Sequence, residues 1–255
     1  MHAAHEHALP APPAAGRMQS RILAAQDITA ALREDMFALY AAHYEACTPQ
    51  RFARDLAGKN HVIVLESGGR LLGFSTAAHY GFQSSRGPVQ VLFSGDTVID
   101  RSAWGEQALS RSFARLGGAL LARESGTPLY WLLISKGHRT YRYLSIFARD
   151  FFPRAGGGDA GLAQLAQEIA GARFGADYDA GAGVITFDES QGHLKDDLAE
   201  VPQHIAARPE GAFFLARNPG YRRGHELVCL TQLTPANLRS VVRESFLSGM
   251  AHGLG

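Results

Sequence analysis

The sequence predicts an α/β (α+β) fold: one sheet with antiparallel hairpins on one side and a parallel crossover on the other. Three observations carry this. Apolar runs of strand length alternate with stretches of helical period, in the order β-α-α-β-β-β-α-β-α followed by a mixed tail. Two strand-like runs, His61 to Glu66 and Leu71 to His79, flank the tight turn Ser67-Gly68-Gly69-Arg70, as in a hairpin. The stretch Val89 to Ser125 reads as strand, short loop and helix, and a second apolar run follows at Leu129 to Ser135. A parallel crossover has that order.

The chain has 255 residues, 46% of them hydrophobic, which is ample for a core. Its net charge is +1 with the charges scattered, so no basic footprint for nucleic acid is present. No apolar run approaches the ~18 residues that would suggest a membrane span. The first residues lack the pattern of a secretory signal. Two cysteines, Cys47 and Cys229, are too few for a disulfide framework and suit a reducing compartment. A cytoplasmic setting is therefore expected.

Residues 1–19 are rich in Ala, Pro and His and read as a disordered tail, with His2, His5 and His7 solvated rather than metal-binding. A short strand is expected at Arg21 to Ala25. Asp27 then caps a helix to about Glu45, with Leu32, Met36 and Leu39 on its inner face. Thr48-Pro49 starts a second helix, capping hydroxyl before a first-turn proline. Residues 80–88 read as a polar loop. In the strand that follows, Val91, Phe93, Thr97 and Ile99 would share one face, with Leu92, Ser94, Asp96 and Val98 on the other. Gly95 marks a bulge or a close backbone approach. The next helix carries Leu109, Phe113, Leu116 and Leu120 on one face. Its Gly117-Gly118 pair points to close packing or to a break.

After Leu129 to Ser135, a helix is expected from Arg139 to Phe152, stopped by Pro153. The run Ala155 to Gly161 is the best candidate boundary. Beyond it the pattern predicts a helix at 162–172, strands at 183–187, 212–216 and 226–232, a broken helix over 193–207, and a last helix opening at Thr234-Pro235. The domain reading is a tail at 1–19, a core at 20–153, and a region at 154–255 that completes the sheet and adds helices.

A strand feeding a tight loop into a helix leaves backbone N–H groups free to bind an anion, phosphate above all. Arg101 to Gln107 is that loop. The run VQVLFSGDTVID, with its Ser94-Gly95 bulge, followed by LYWLLIS and HRTYRYLSIFARDFF, resembles the fourth strand, fifth strand and following helix of the GNAT superfamily of N-acyltransferases. The resemblance covers about residues 20–153, with strands from 183–232 closing the sheet. It implies a mixed, mostly antiparallel central sheet flanked by helices, with a C-terminal extension. It also implies an acyl-CoA or acetyl-CoA donor lying where the fourth and fifth strands part. The family's loop reads Arg or Gln, two residues, Gly, one residue, Gly or Ala. Here the window Ser102-Ala103-Trp104-Gly105-Glu106-Gln107 matches at Gly105, and Arg101 stands one position early. The resemblance assigns donor binding to Arg101, Ser102, Ala103, Trp104, Gly105 and Gln107.

Asp96 is the candidate general base. Tyr141 and Tyr143 compete for the role of the acid that protonates the leaving thiolate, with His138 as a second candidate. Two residues apart on a helix, the tyrosines face differently, so one at most points into the cleft. The expected function is acyl transfer from acyl-CoA, or from an acyl carrier protein, to an amine or hydroxyl of a small acceptor, with no metal. A non-catalytic module binding an acyl ligand or a protein is the alternative. A third reading puts Cys229 or a histidine to work in another class of enzyme. Nucleic acid is excluded as a partner, and no membrane span is expected.

Overall fold

The computed structural model describes residues 18–187 and 192–254. The strands of its main sheet are β1 (Gln19–Ala24), β2 (His61–Ser67), β3 (Arg70–Ser84), β4 (Gly87–Ile99), β5 (Leu129–Ser135), β6 (Tyr178–Asp179), β7 (Val184–Ile185) and β8 (Glu226–Gln232). The helices are α1 (Ala30–His43), α2 (Pro49–Ala57), α3 (Ala108–Arg123), α4 (His138–Phe147), α5 (Ala160–Phe174), α6 (Pro209–Arg217) and α7 (Ser240–His252). Single helical turns occupy Asp196–Ala199 and Gln203–Ala206, and Tyr44–Glu45 pairs with His193–Leu194 in a small ribbon.

The sheet order is β1-β2-β3-β4-β5-β8-β7-β6. Every neighbouring pair is antiparallel except β4–β5, which is parallel, with α3 as its crossover. The mixed, mostly antiparallel sheet is the architecture that the sequence resemblance implied. β8 pairs with β5 from Leu227 to Gln232, so strands from before and after the glycine-rich run 155–161 share one sheet. Among the described residues, no helix is long and apolar enough to cross a membrane.

Alternation along the strands separates the two faces. Ile63 and Leu65 join Trp131, Leu133, Leu227 and Cys229 beneath α3, α4 and α7. Val62 and Val64 face α1 and α2, and Leu132, Val228 and Leu230 face α5. The paired glycines of α3 do not break it. A Cβ on Gly118 would stand 2.0 Å from the Phe246 carbonyl oxygen, and one on Gly249 2.0 Å from that of Arg115. These glycines let α3 and α7 cross at backbone contact.

Several local expectations hold. Thr48 caps α2 by accepting from Arg51 N–H, with Pro49 in the first turn, and the strand at 129–135 has the expected ends. Others are corrected. Thr29 caps α1, accepting from Leu32 N–H, while Asp27 sits in a preceding 3₁₀ turn. Residues 80–84 extend β3 because Tyr80 and Phe82 pack on the second core cluster; Ser84 Oγ then closes the turn by donating to Gly87 O at 2.7 Å. The run 212–216 lies within helix α6: Pro209 opens it, and Gly211 and Phe214, three apart, face inward. α4 ends at Phe147, and Phe152 instead exchanges two 2.8 Å backbone bonds with Leu230 of β8. His2, His5 and His7 lie outside the described residues.

Candidate active site

One extra residue in β4 organises the site. Ser75 of β3 faces Thr97 and Ala77 faces Ser94, so the three steps from 94 to 97 in β4 oppose two in β3. The bulge falls at Gly95–Asp96. A Cβ at Gly95 would lie 2.5 Å from Lys59 Cε and from Thr76 Oγ1, so only glycine fits. The inserted residue reverses the facing of everything after it. The expected sharing of one face by Val91, Phe93, Thr97 and Ile99 therefore fails. Val98 packs on the α1/α2 cluster and Ile99 on the α3 cluster, while Asp96 shares a cavity with Phe93.

The same point ends the parallel ladder. β4 and β5 pair from Gln90↔Leu129 to Ser94↔Leu133 and then separate. From Gly95 to Ile99 the β5-facing edge of β4 has no strand partner. Trp131 closes the floor of the fork by donating from Nε1 to Ser94 Oγ at 2.8 Å.

Two cavities meet at the opening, sharing Tyr44, Thr97 and Thr140. The first, about 480 Å³, lies between the fork, the start of α3 and α4. Trp104, Gly105 and Gln107 line it, with His138, Arg139, Arg142 and Tyr143 from α4. Arg111 N–H, donating to Gln107 O, is the first α3 amide to find a backbone acceptor, so those of Ala108 to Ser110 are open. Arg139 lies 4.8 Å from the centre of the Trp104 ring. The loop's one cation, Arg101, does not line this cavity, and α4 brings two cations, Arg139 and Arg142, to it.

The second cavity, about 290 Å³, lies between α1, α2, α5 and the fork. Asp96 lines it. Burial raises the Asp96 pKa to about 6, reinforced by Asp55 and opposed by Lys136 and Lys59. Lys136 Nζ pairs with Glu226 Oε1 at 3.4 Å, both largely buried. Burial works to lower the Lys136 pKa, but Glu226, with Tyr44 and Asp96, outweighs it and holds Lys136 above its ordinary value. Tyr40 and Tyr44 stack with centres 4.5 Å apart. Burial pushes the Tyr44 pKa up to about 12.

The raised pKa of Asp96 makes its ionisation a cost to the fold. That cost is absent below its unfolded value near 3.8, grows as pH rises through about 6, and is complete above. Asp96→Asn is thus expected to melt at a higher temperature than wild type near neutral pH and level with it at about pH 4. Identical melting curves across that range would mean an Asp96 of ordinary pKa.

The structure separates the candidate residues. Tyr143 lines the first cavity, its hydroxyl has no hydrogen-bond partner among the described residues, and burial raises its pKa. Tyr141 is turned away: its hydroxyl donates to Pro153 O at 2.9 Å within an aromatic cluster with Phe151, Phe213 and Phe214. It is corrected to a core residue. His138 also lines the cavity, but burial, then Arg139 and Arg142, lower its pKa to about 4, so at neutral pH it carries no imidazolium proton to donate. Trp104, Gly105 and Gln107 reach the first cavity, with Trp104 45% exposed rather than plugging the core. Arg101 instead forms an ion pair with Asp197, Ser102 hydrogen-bonds Asp100, and Ala103 is buried. Cys229 is fully buried in β8 and its thiol pKa is raised by burial, which removes it as a nucleophile.

Sequence reasoning missed Tyr40, Tyr44, Arg139, Arg142, Arg173 and Glu226 as site residues. Their types were legible, but their convergence depends on long-range pairing, and Glu226 lies 90 positions beyond Lys136. Among the described residues, no group of three His, Cys, Asp or Glu side chains is placed to hold a metal.

A mixed sheet with a bulged fourth strand, a forked parallel pair and a helix start at the fork is the arrangement of the N-acyltransferase class that the sequence resembles. No family model and no curated protein matches the chain. Among solved structures, it is similar to a probable N-acyltransferase from Enterococcus faecalis V583, with 14% identity, 53% of this chain and 33% of that one covered, and a TM-score of 0.40. It thus spans about a third of that protein. It is also similar to a GNAT family N-acetyltransferase from Escherichia coli in complex with CoA (17% identity, 56% and 72% covered, TM-score 0.36). A third similar structure is a predicted acetyltransferase with acetyl-CoA from Clostridium acetobutylicum (12% identity, 50% and 88% covered, TM-score 0.39).

Proposed function

We propose that this chain is an acyltransferase that moves an acyl group from acyl-CoA to an amine by direct attack. The observation that carries this reading is the bulge at Gly95–Asp96, which opens the sheet and sets a carboxylate on one side of the fork and the Tyr143 phenol on the other. The residues present fit an acyl-CoA. The edge of β4 from Gly95 to Val98, ahead of the Ile99 carbonyl that accepts from Trp104 Nε1, offers backbone groups to the amides of the pantetheine arm. The open amides at the start of α3 and the Arg139 and Arg142 guanidiniums suit its phosphates.

Asp96 takes a proton from the acceptor ammonium, directly or through water. The free amine attacks the thioester carbonyl, a C–N bond forms, and the C–S bond breaks. Tyr143 gives its phenolic proton to the departing sulfur, and the second proton lost by the nitrogen returns through water to restore the phenol. A phenol still protonated at neutral pH, as burial of Tyr143 favours, suits a thiolate of similar basicity. A cytoplasmic setting accords with the two free thiols.

Release of free thiol from acetyl-CoA in the presence of a panel of amines tests the reading. The rate is expected to rise with pH through about 6 as Asp96 ionises, and Asp96→Asn is expected to abolish that limb. A profile unchanged by the substitution would remove Asp96 as the base.

One observation favours a second reading. Arg101, the one cation of the loop, is engaged by Asp197. A donor presented on a carrier protein, or a module that binds an acyl ligand without turnover, makes no demand on that loop for a nucleotide.

A further inference from the structure

Three carboxylates, Asp55, Asp96 and Glu226, and three cations, Arg51, Lys136 and Arg173, line the acceptor-side cavity. Two of its carboxylates are matched: Asp55 Oδ2 lies 2.5 Å from Lys59 Nζ, and Glu226 is paired with Lys136. Asp96 is not. Among the described residues, its carboxylate has neither a hydrogen bond nor an ion pair. Across the same cavity stands Arg173, in the last turn of α5. Its guanidinium lies 4.1 Å from the centre of the Phe93 ring, 5.2 Å from that of Tyr80 and 5.8 Å from that of Phe174. Among the described residues, no carboxylate lies within ion-pair distance of it. Three rings flank this exposed planar cation, and the Tyr80 hydroxyl takes up only part of its five N–H groups, so N–H donors remain for another group. Stacking of that kind pre-organises an arginine to take a carboxylate through two parallel bonds. Tyr44, Phe174 and Phe187 give the same cavity aromatic walls.

We propose that the acceptor is a zwitterion, an amine that also bears a carboxylate on an apolar body, of the amino-acid class. Asp96 faces its amine, Arg173 takes its carboxylate, and the aromatic walls take its side chain. This rests on the acyltransferase reading for its chemistry, though not for its binding. A simple amine would leave Arg173 without a counter-charge. A purely anionic ligand would meet Asp96.

The test compares matched acceptors in the full-length protein with acetyl-CoA as donor: L-phenylalanine against phenethylamine, and L-leucine against isopentylamine. Wild type is expected to favour the carboxylated member of each pair by about 10-fold or more in kcat/KM, the scale of one charge-assisted contact. Arg173→Gln is expected to collapse that ratio towards one, and Arg173→Lys to restore part of it. Equal use of both members by wild type would overturn the proposal, as would a ratio that survives Arg173→Gln; Arg173 would then be a surface cation stacked on rings.

Calorimetric titration with L-phenylalanine and, separately, with CoA keeps the two readings apart if no acceptor is turned over. Amino-acid binding that Arg173→Gln weakens about 10-fold upholds the zwitterion site and counts against acyl transfer. CoA binding without amino-acid binding overturns the zwitterion site and leaves the donor reading standing.

Discussion

Replacing Tyr143 by phenylalanine is expected to lower turnover by about 10²-fold or more while leaving CoA affinity close to wild type. The phenol lines the first cavity and has no hydrogen-bond partner among the described residues, so its loss leaves no buried acceptor unpaired. The ring itself remains and keeps its edge contact with Phe147. What disappears is the proton offered to the leaving sulfur. Tyr141→Phe is the control, because it sits on the same helix with the opposite facing. It removes the bond to Pro153 O and is expected to cost about 1 kcal/mol of stability without a comparable loss of turnover. Steady-state kinetics beside chemical denaturation of both variants checks the pair. Full activity in Tyr143→Phe with a large loss in Tyr141→Phe would reverse the assignment.

Replacing Lys136 by methionine is expected to destabilise the protein by about 3–5 kcal/mol. Glu226 would remain at 6% residue exposure with its counter-ion gone. Burial already pulls the Glu226 pKa upward, and Lys136 is what opposes it. Removing both charges together is a different change. Lys136→Met with Glu226→Leu replaces a buried pair by apolar volume and is expected to recover most of the loss. Urea denaturation of wild type, the single variant and the double variant measures this as a cycle. A single variant within about 1 kcal/mol of wild type would mean that water reaches the pair. The location matters for function as well. Lys136 ends just past β5, beside the fork, and its loss would act on the part of the sheet that holds Asp96.

The fold was legible where local chemistry agreed with tertiary packing. Thr48-Pro49, the Gly68-Gly69 hairpin turn and the apolar run 129–135 each specify their element within a few residues. The lone glycine inside β4 pointed to the bulge. What the glycine could not reveal is the consequence, that Asp96 changes face and looks towards α1, α2 and α5. The residues 212–216 misled because an apolar run of five has no decisive period; Pro209 and the inward spacing of Gly211 and Phe214 make it a helix. Residues 80–84 misled because their polar composition masks an alternation that only a packed α5 rewards.

For the site, one half was readable. Asp96, Tyr143, Trp104, Gly105 and Gln107 lie on the stretch that strand, loop and helix arrange by themselves. The two cations of the first cavity, Arg139 and Arg142, were hidden because arginines on a helix carry no local sign of what they face. Their role depends on where α4 lands. Apart from Asp96, the second cavity was illegible for the same reason. Tyr44, Lys136, Arg173 and Glu226 come from four separate segments, and only the closing of the sheet by β8 brings them together.

An acyl-CoA is expected to occupy the fork between β4 and β5. A thermal-shift titration of the wild-type chain with CoA, acetyl-CoA and a ladder of longer acyl-CoAs tests it most directly. At about 100 times the dissociation constant a ligand stabilises the fold by about 2.7 kcal/mol, enough to raise the midpoint visibly. Such a shift is expected with CoA, and a larger one with at least one acyl-CoA. No shift with any member of the series would contradict it and would leave the forked sheet to a carrier-borne donor or to a ligand bound without turnover.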